Sequence, residues 1–132
     1  VPPSRDPRRE TVLEPGEVVT SVTLPEPRKG LRSSYRKVKA RGAWDFAMAG
    51  VALALLFEGD RVQEARVVLS GAAPVPWRSG AAEDALTGRR LDAETIQRAS
   101  EALVKGAQPL RYNGYKISLF RGIIEEELKR LT

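Results

Sequence analysis

The residues best suited to chemistry lie together between positions 35 and 57. Period-2 strand geometry places alternate residues of a cationic stretch on one face: Tyr35, Lys37, Lys39 and Arg41. A tyrosine beside cationic donors offers a flat apolar surface that suits an anionic, planar ligand. The triplet Trp44–Phe46 follows, directly before an apolar run that reaches residue 57. The pattern predicts a ligand-binding edge at the mouth of a buried sheet.

The composition excludes most autonomous catalytic chemistry, because the chain contains neither histidine nor cysteine. Disulfides, thiolate nucleophiles, iron–sulfur ligation, the common zinc sites and His-based triads are therefore excluded. A glycine-rich phosphate loop is missing as well. We predict no catalytic residue and no metal site in this chain. The lack of cysteine is consistent with a cytoplasmic protein.

Length and hydropathy indicate a single domain covering residues 1–132. The longest apolar run, residues 47–57, is far shorter than the roughly 18 residues needed to cross a membrane. The first residues have no apolar core of the signal-peptide type. Because the chain starts with valine, we expect it to be part of a longer protein or a processed product.

The net charge of +5 is concentrated near the amino terminus. From Arg28 to Arg41 there are seven basic residues and no acidic one. A solvated edge strand protected by charge is one interpretation. A phosphate-bearing cofactor, an acidic partner surface and nucleic acid are the others. A stand-alone interaction or nucleic-acid-binding module that uses residues 28–41 therefore stays open as an alternative function.

The first half of the chain is typical of an antiparallel sheet between residues 17 and 70. Residues 1–10 predict an extended segment leading into the domain. The β-branched run Val18–Leu24 predicts a first strand, and residues 31–40 predict a second. Residues 47–57 and 62–69, joined by Glu58–Arg61, predict a hairpin. Because its first arm is apolar at every position, we expect a central strand covered on both faces.

The second half changes to helical periodicity between residues 79 and 132. Ser79 and Asp92 are typical helix caps, and they predict helices that begin just after them. Residues 113–131 carry apolar side chains at 3- and 4-residue spacing, which predicts a third, amphipathic helix. The order predicts an α+β domain: an antiparallel three- to four-stranded sheet followed by three helices packed on it.

The chain resembles the C-terminal domain of the FAD-binding (medium) subunit of molybdenum hydroxylases, the carbon monoxide dehydrogenase and xanthine dehydrogenase type. The resemblance rests on an ordered set of short motifs, none of them specific alone: TVLEPGE (11–17), YRK (35–37), DFA (45–47), SGAAPVP (70–76), ALTG (85–88) and PLRYNGYKI (109–117).

The resemblance implies a role in electron transfer. It also implies that this chain forms only part of the cofactor site. In such enzymes a molybdopterin-binding large subunit oxidises the substrate, and an iron–sulfur small subunit passes electrons to FAD. The flavin then reduces an external acceptor. The loops that hold the FAD pyrophosphate lie in a preceding FAD-binding domain, which this sequence lacks. The family therefore implies a C-terminal part of a flavoprotein subunit that helps to enclose a flavin bound mainly elsewhere.

The resemblance also implies which residues approach the flavin. Lys37 and Arg41 match positions near the isoalloxazine ring or its acceptor side, where positive charge stabilises a reduced flavin. Asp45 and Phe46 match an acidic–hydrophobic pair beside the ring, and Tyr35 lies on the same strand. The alignment is ambiguous by one residue here, so Arg36 and Lys37 could exchange roles. A homologue that keeps the fold without flavin remains a third possibility.

Overall fold

The computed structural model describes residues 1–42 and 44–132, and it shows one sheet followed by three helices. The four-stranded antiparallel sheet has the order β1-β2-β3-β4. The strands are β1 (Leu31–Val38), β2 (Ala49–Glu58), β3 (Arg61–Ser70) and β4 (Trp77–Arg78). The helices are α1 (Gly80–Leu86), α2 (Ala93–Val104) and α3 (Tyr115–Arg130). The predicted α+β class is confirmed.

The core forms between one face of the sheet and the helices. In β2, alternate side chains from Ala49 to Leu55 are almost fully buried. They pack in one cluster with apolar residues of β3 and with the inner faces of α2 and α3. The hairpin is confirmed: Glu58 pairs with Arg61, and Gly59 adopts a φ of 60°. Burial of this apolar surface is the main force that holds helices and sheet together.

The prediction that β2 is covered on both faces holds only in part among the described residues. Its outer face carries Gly50, Ala52, Ala54 and Leu56; Gly50 and Leu56 are buried, whereas the two alanines are only half-buried. The helices pack on the opposite face, through the cluster that contains Val51. An apolar sequence on both faces is typical of a strand covered on both sides. The outer face of β2 therefore has the composition of a buried surface.

The helix caps follow the sequence prediction. The Ser79 hydroxyl accepts a hydrogen bond from the Ala82 N–H at 3.4 Å, and the Asp92 carboxylate accepts one from the Thr95 N–H at 2.8 Å. The latter bond lowers the pKa of Asp92, because a backbone donor favours the charged form. Helix α3 begins at Tyr115 rather than 113, since the Asn113 amide oxygen instead accepts from the Leu110 N–H.

A carboxylate from α1 completes the free edge of β3. Glu83 Oε1 accepts a hydrogen bond from the Val67 N–H at 3.0 Å, where a longer β4 would otherwise supply a carbonyl. The same carboxylate binds the Arg78 guanidinium through Nε and Nη2 at 2.8 and 2.7 Å. Glu83 is buried, and the Arg78 hydrogen bond is the main reason why its pKa lies below the ordinary value.

The prediction of a first strand at Val18–Leu24 is wrong for this chain. These residues join no sheet, and the sheet starts at Leu31 instead of residue 17. β-propensity expresses how well a side chain fits a pleated, half-buried surface, so it makes no strand without a neighbouring one.

Residues 1–10 also differ from the extended segment that the sequence predicts. The carbonyl of Pro2 accepts from the N–H groups of Arg5 and Asp6 at 2.9 and 3.2 Å, and the Val1 amine donates to the Glu10 carbonyl at 3.0 Å. The segment folds back in turns because proline favours the first central position of a turn, which its sequence supplies repeatedly.

Candidate functional site

The outer face of β1 presents Tyr35 and Lys37 to solvent. In the antiparallel register Tyr35 lies opposite Ala52 and Lys37 lies opposite Gly50, so the two side chains stand beside small residues. Tyr35 is 62% exposed, and Lys37 is exposed as well. The two side chains thus share one face, as the period of two predicts, and flank a shallow apolar surface. The prediction that Lys39 and Arg41 lie on the same strand face is wrong, because β1 ends at Val38 and both residues belong to the following loop.

The arginines of the same strand point the other way, toward α3 and the residue that follows it. Arg36 forms an ion pair with Glu126 at 3.8 Å. Arg32 donates to the Leu131 carbonyl and lies 4.4 Å from the centre of the Phe57 ring. Before the strand, Arg28 binds Glu64 at 2.7 Å. The basic run 28–41 is therefore divided between two faces, and it does not form one continuous cationic surface.

Lys37 differs from these arginines in its surroundings. Within the described part of the chain, its ammonium group makes no ion pair or side-chain hydrogen bond. Lys29, in the turn before β1, is likewise exposed and without an ionic partner among the described residues. Lys37 is thus an unneutralised positive charge on a face that has the composition of a buried surface. That combination favours an anionic ligand or partner.

The loop between β1 and β2, residues 39–48, projects two aromatic side chains into solvent. Trp44 is 98% exposed and Phe46 is 93% exposed. The loop is closed at its base by the Met48 N–H, which donates to the Val38 carbonyl at 2.9 Å. Exposed aromatic groups of this size are typical of surfaces that become buried against another protein or a ligand.

Short-range polar contacts hold this loop in shape. The Arg41 Nε lies 3.7 Å from the Asp45 carboxylate, and its Nη2 donates to the Trp44 carbonyl at 3.4 Å. Asp45 in turn accepts from the Phe46 N–H at 2.9 Å. These contacts brace the backbone on both sides of Asp45 while leaving the aromatic rings unsupported. Ala43 lies outside the described residues.

The five predicted site residues therefore fall into two neighbouring groups. Tyr35 and Lys37 lie on the outer face of β1, and Arg41, Asp45 and Phe46 lie on the following loop, where Arg41 and Asp45 form an ion pair. Sequence reasoning omitted Trp44 from the set. Its position two residues before Phe46, in a polar loop, was the available signal.

Elsewhere, a cleft lies between the end of β3, the α2–α3 connection and α3. It has a volume of about 270 Å³, and its walls include Leu69, Trp77, Ile117 and Phe120. Lys116 at its rim donates to the Gly71 carbonyl at 2.9 Å. Among the described residues, no cluster of three or more His, Cys, Asp or Glu side chains is placed to hold a metal ion. None of the described helices has the length and hydropathy to span a membrane.

Comparison with known proteins places this architecture in a family. The sequence model of the CO dehydrogenase flavoprotein C-terminal domain matches residues 33–127. The chain belongs to this family. The match covers β1 from residue 33, the loop 39–48, and every later strand and helix up to residue 127, near the end of α3. It starts after the exposed segment 18–24.

Individual relatives and solved structures agree with that assignment. The aldehyde oxidoreductase FAD-binding subunit PaoB of Escherichia coli is 36% identical over 118 residues, which is 89% of this chain and 34% of the relative. The carbon monoxide dehydrogenase medium chain of Hydrogenophaga pseudoflava is 30% identical over 75% of this chain and 34% of its own length. In the structure of reconstituted CO dehydrogenase from Oligotropha carboxidovorans, one chain superposes with a TM-score of 0.77 at 26% identity. That superposition covers 92% of this chain and 43% of the other. The chain therefore spans about a third of the length of the curated relatives it matches.

Proposed function

We propose that this domain is the C-terminal part of an FAD-binding subunit of a molybdenum-dependent hydroxylase or dehydrogenase, and that it helps to enclose the flavin. The observation that carries the proposal is the outer surface formed by β1 and the loop 39–48. It combines an unneutralised ammonium group, two exposed aromatic rings and a half-buried apolar strand face. The relatives named as FAD-binding or medium subunits support it.

The residues on this surface fit a flavin chemically. FAD, when bound, accepts electrons and passes them to an external acceptor. Phe46, Trp44 and Tyr35 offer flat apolar surfaces that can pack against a planar ring system. Lys37 supplies a positive charge that opposes the negative charge developing on that ring system during reduction. Arg41 neutralises Asp45 and orients its carboxylate, so a hydrogen-bond acceptor is held at the loop.

No phosphate-binding loop is present in this chain, so we infer that a preceding domain holds most of the FAD. A molybdopterin-binding large subunit and an iron–sulfur small subunit are the proposed partners, supported by relatives that are named as medium chains of carbon monoxide dehydrogenase. We propose a cytoplasmic location for the assembly. The nucleic-acid alternative has no support in the comparisons, and the division of the basic residues between two faces of β1 argues against it.

Removal of the Lys37 charge tests the proposal in the full-length subunit. We expect Lys37→Ala to weaken FAD binding about 5- to 10-fold, or to lower the flavin reduction potential, because a nearby positive charge favours the reduced and more negative state. Lys29→Ala is the matched control, since it removes the same charge from another exposed site of the basic run. Flavin absorbance titration and potentiometry give the readouts.

Substitutions in the loop 39–48 provide a second, independent test of the flavin site. Asp45→Ala and Phe46→Ala are expected to weaken FAD binding without changing the thermal unfolding of the domain, because both side chains lie on a loop outside the core. If Lys37→Ala, Asp45→Ala and Phe46→Ala all match the unsubstituted subunit in flavin affinity, potential and acceptor kinetics, the site assignment is wrong. A full-length protein that takes up no flavin would contradict the function itself.

A further inference from the structure

The segment ahead of β1 has the sequence of a strand but joins no sheet. Along Val18–Leu24, alternation places Val18, Thr20, Val22 and Leu24 on one side and Val19, Ser21 and Thr23 on the other. Val18, Val22 and Leu24 are 76–81% exposed. A pattern that is apolar at three of four positions on one side and at one of three on the other favours a half-buried strand, which would be about 23 Å long.

A specific turn introduces the segment. The Glu17 N–H donates to the Glu14 carbonyl at 3.0 Å across Pro15 and Gly16, and Gly16 has a φ of 90°. Proline followed by a glycine of positive φ is the signature of a type II turn. Arg9 binds the carbonyls of Val12 and Leu13 at 3.1 and 2.8 Å, which holds the arm before the turn.

The segment lies outside the domain but inside the region shared with relatives. The family match begins at residue 33. The superposition on the Oligotropha carboxidovorans chain covers 92% of this chain, or about 121 residues, whereas only about 102 residues lie from Leu31 to the end. The superposition therefore extends at least about 19 residues ahead of β1. More than half of that other chain has no counterpart here.

We propose that residues 18–24 add as an edge strand to a β-sheet of the domain that precedes this one in the same subunit, with Val18, Val22 and Leu24 packed on its core. The backbone N–H and C=O groups of residues 18–24 form the hydrogen bonds to the neighbouring strand. The apolar side chains determine which face of the segment packs on the core. Pro25 and Pro27 end the strand, since neither can donate to a ladder. The β1 edge of this domain is not the partner, because the segment leaves it unpaired.

This docking explains how two domains could share one flavin site. Residues 25–30 are the only connection between the strand and β1, and they reach at most about 20 Å. A strand fixed in the preceding sheet therefore holds the outer face of β1, with Tyr35 and Lys37, close to that domain. The inference rests on the proposed function only in requiring that a further domain precede this one.

Single-cysteine labelling of the full-length subunit tests the inference, since this chain has no native cysteine. Val22→Cys and Thr23→Cys form a matched pair of neighbours on opposite faces. We expect maleimide to modify the cysteine at position 22 at least tenfold more slowly than the one at position 23, measured by mass spectrometry of the peptide. Equal rates at the two positions would overturn the inference.

Labelling at different protein concentrations and measurement of the FAD content distinguish the alternative explanations. Protection at position 22 that is lost when a dimer dissociates on dilution would identify a second copy as the partner and overturn the inference. If the labelling rates at positions 22 and 23 are equal, while the subunit retains FAD and Lys37→Ala still changes FAD binding or the flavin potential, only the inference about residues 18–24 fails. If position 22 is protected in a subunit that takes up no FAD, the proposed function is wrong, whereas the inference that residues 18–24 add to another sheet is supported.

Discussion

Gly30→Ala is expected to lower the free energy of unfolding by about 3 kcal/mol. Gly30 has a φ of 83°, which is unfavourable for any residue with a side chain, and an added Cβ would lie 2.5 Å from the Phe57 carbonyl oxygen. That oxygen belongs to the backbone of β2 and cannot rotate away. Relief of the contact would separate β1 from β2 at the point where the Phe57 N–H donates to the Gly30 carbonyl.

Gly59→Ala isolates the conformational part of this effect. Gly59 also has a positive φ, 60°, but no atom lies within 4 Å of an added Cβ. We expect this variant to lose only about 1 kcal/mol. Urea denaturation of both variants, followed by circular dichroism, measures the difference. Equal losses in the two variants would show that the close approach to Phe57 contributes nothing, and that the β1–β2 contact at Gly30 is looser than described.

Glu83→Gln is expected to destabilise the domain by about 2–3 kcal/mol. The substitution keeps the shape but removes the charge that binds the Arg78 guanidinium and the Val67 N–H. An amide can satisfy only part of that set, and its own N–H groups would face the donors of Arg78. The loss would fall on the free edge of β3, where the carboxylate replaces a strand.

The pH dependence of stability provides a separate signature of Glu83. Its pKa is lowered from the ordinary 4.5 on folding, chiefly by the Arg78 hydrogen bond, so the folded state binds fewer protons than the unfolded state near that pH. The stabilisation is therefore fully present above about pH 4.5 and is lost as the pH falls through the lower, folded pKa. We expect Glu83→Gln to flatten the acid limb of a stability–pH profile. Glu26→Gln, which removes an exposed carboxylate without an ion pair among the described residues, serves as the control. An unchanged acid limb in Glu83→Gln would contradict this role.

The hairpin and the helices could be predicted from the sequence because the residues that determine them lie within or directly beside each element. The hairpin follows from a glycine turn between two apolar runs, and the helices follow from Ser79, Asp92 and the spacing of apolar residues. The prediction of a strand at Val18–Leu24 was wrong for the opposite reason. No strand in the described part of the chain pairs with these residues, and β-propensity does not indicate whether a neighbouring strand exists.

The candidate site was predictable only in part. Alternation correctly placed Tyr35 and Lys37 on one face of β1. The pairing of Arg36 with Glu126 and of Arg32 with the Leu131 carbonyl was not predictable, since these partners lie about 90 to 100 residues further along the chain. The composition of residues 28–41 therefore predicted a larger cationic surface than the fold presents, because several of these basic side chains have partners within the domain. The outer face of β2 was predicted to be covered, but among the described residues no helix packs on it and its two alanines stay only half-buried.

The central claim is that the outer face of β1 and the loop 39–48 border the flavin. Amide hydrogen exchange of the full-length subunit, measured with and without bound FAD, tests it most directly. We expect FAD to slow exchange in peptides that cover residues 35–48 and to leave those covering α2 unchanged, because α2 packs against α1 and α3, on the side of the sheet away from the outer face of β1. Unchanged exchange across residues 35–48, with slowed exchange confined to other parts of the subunit, would contradict the account.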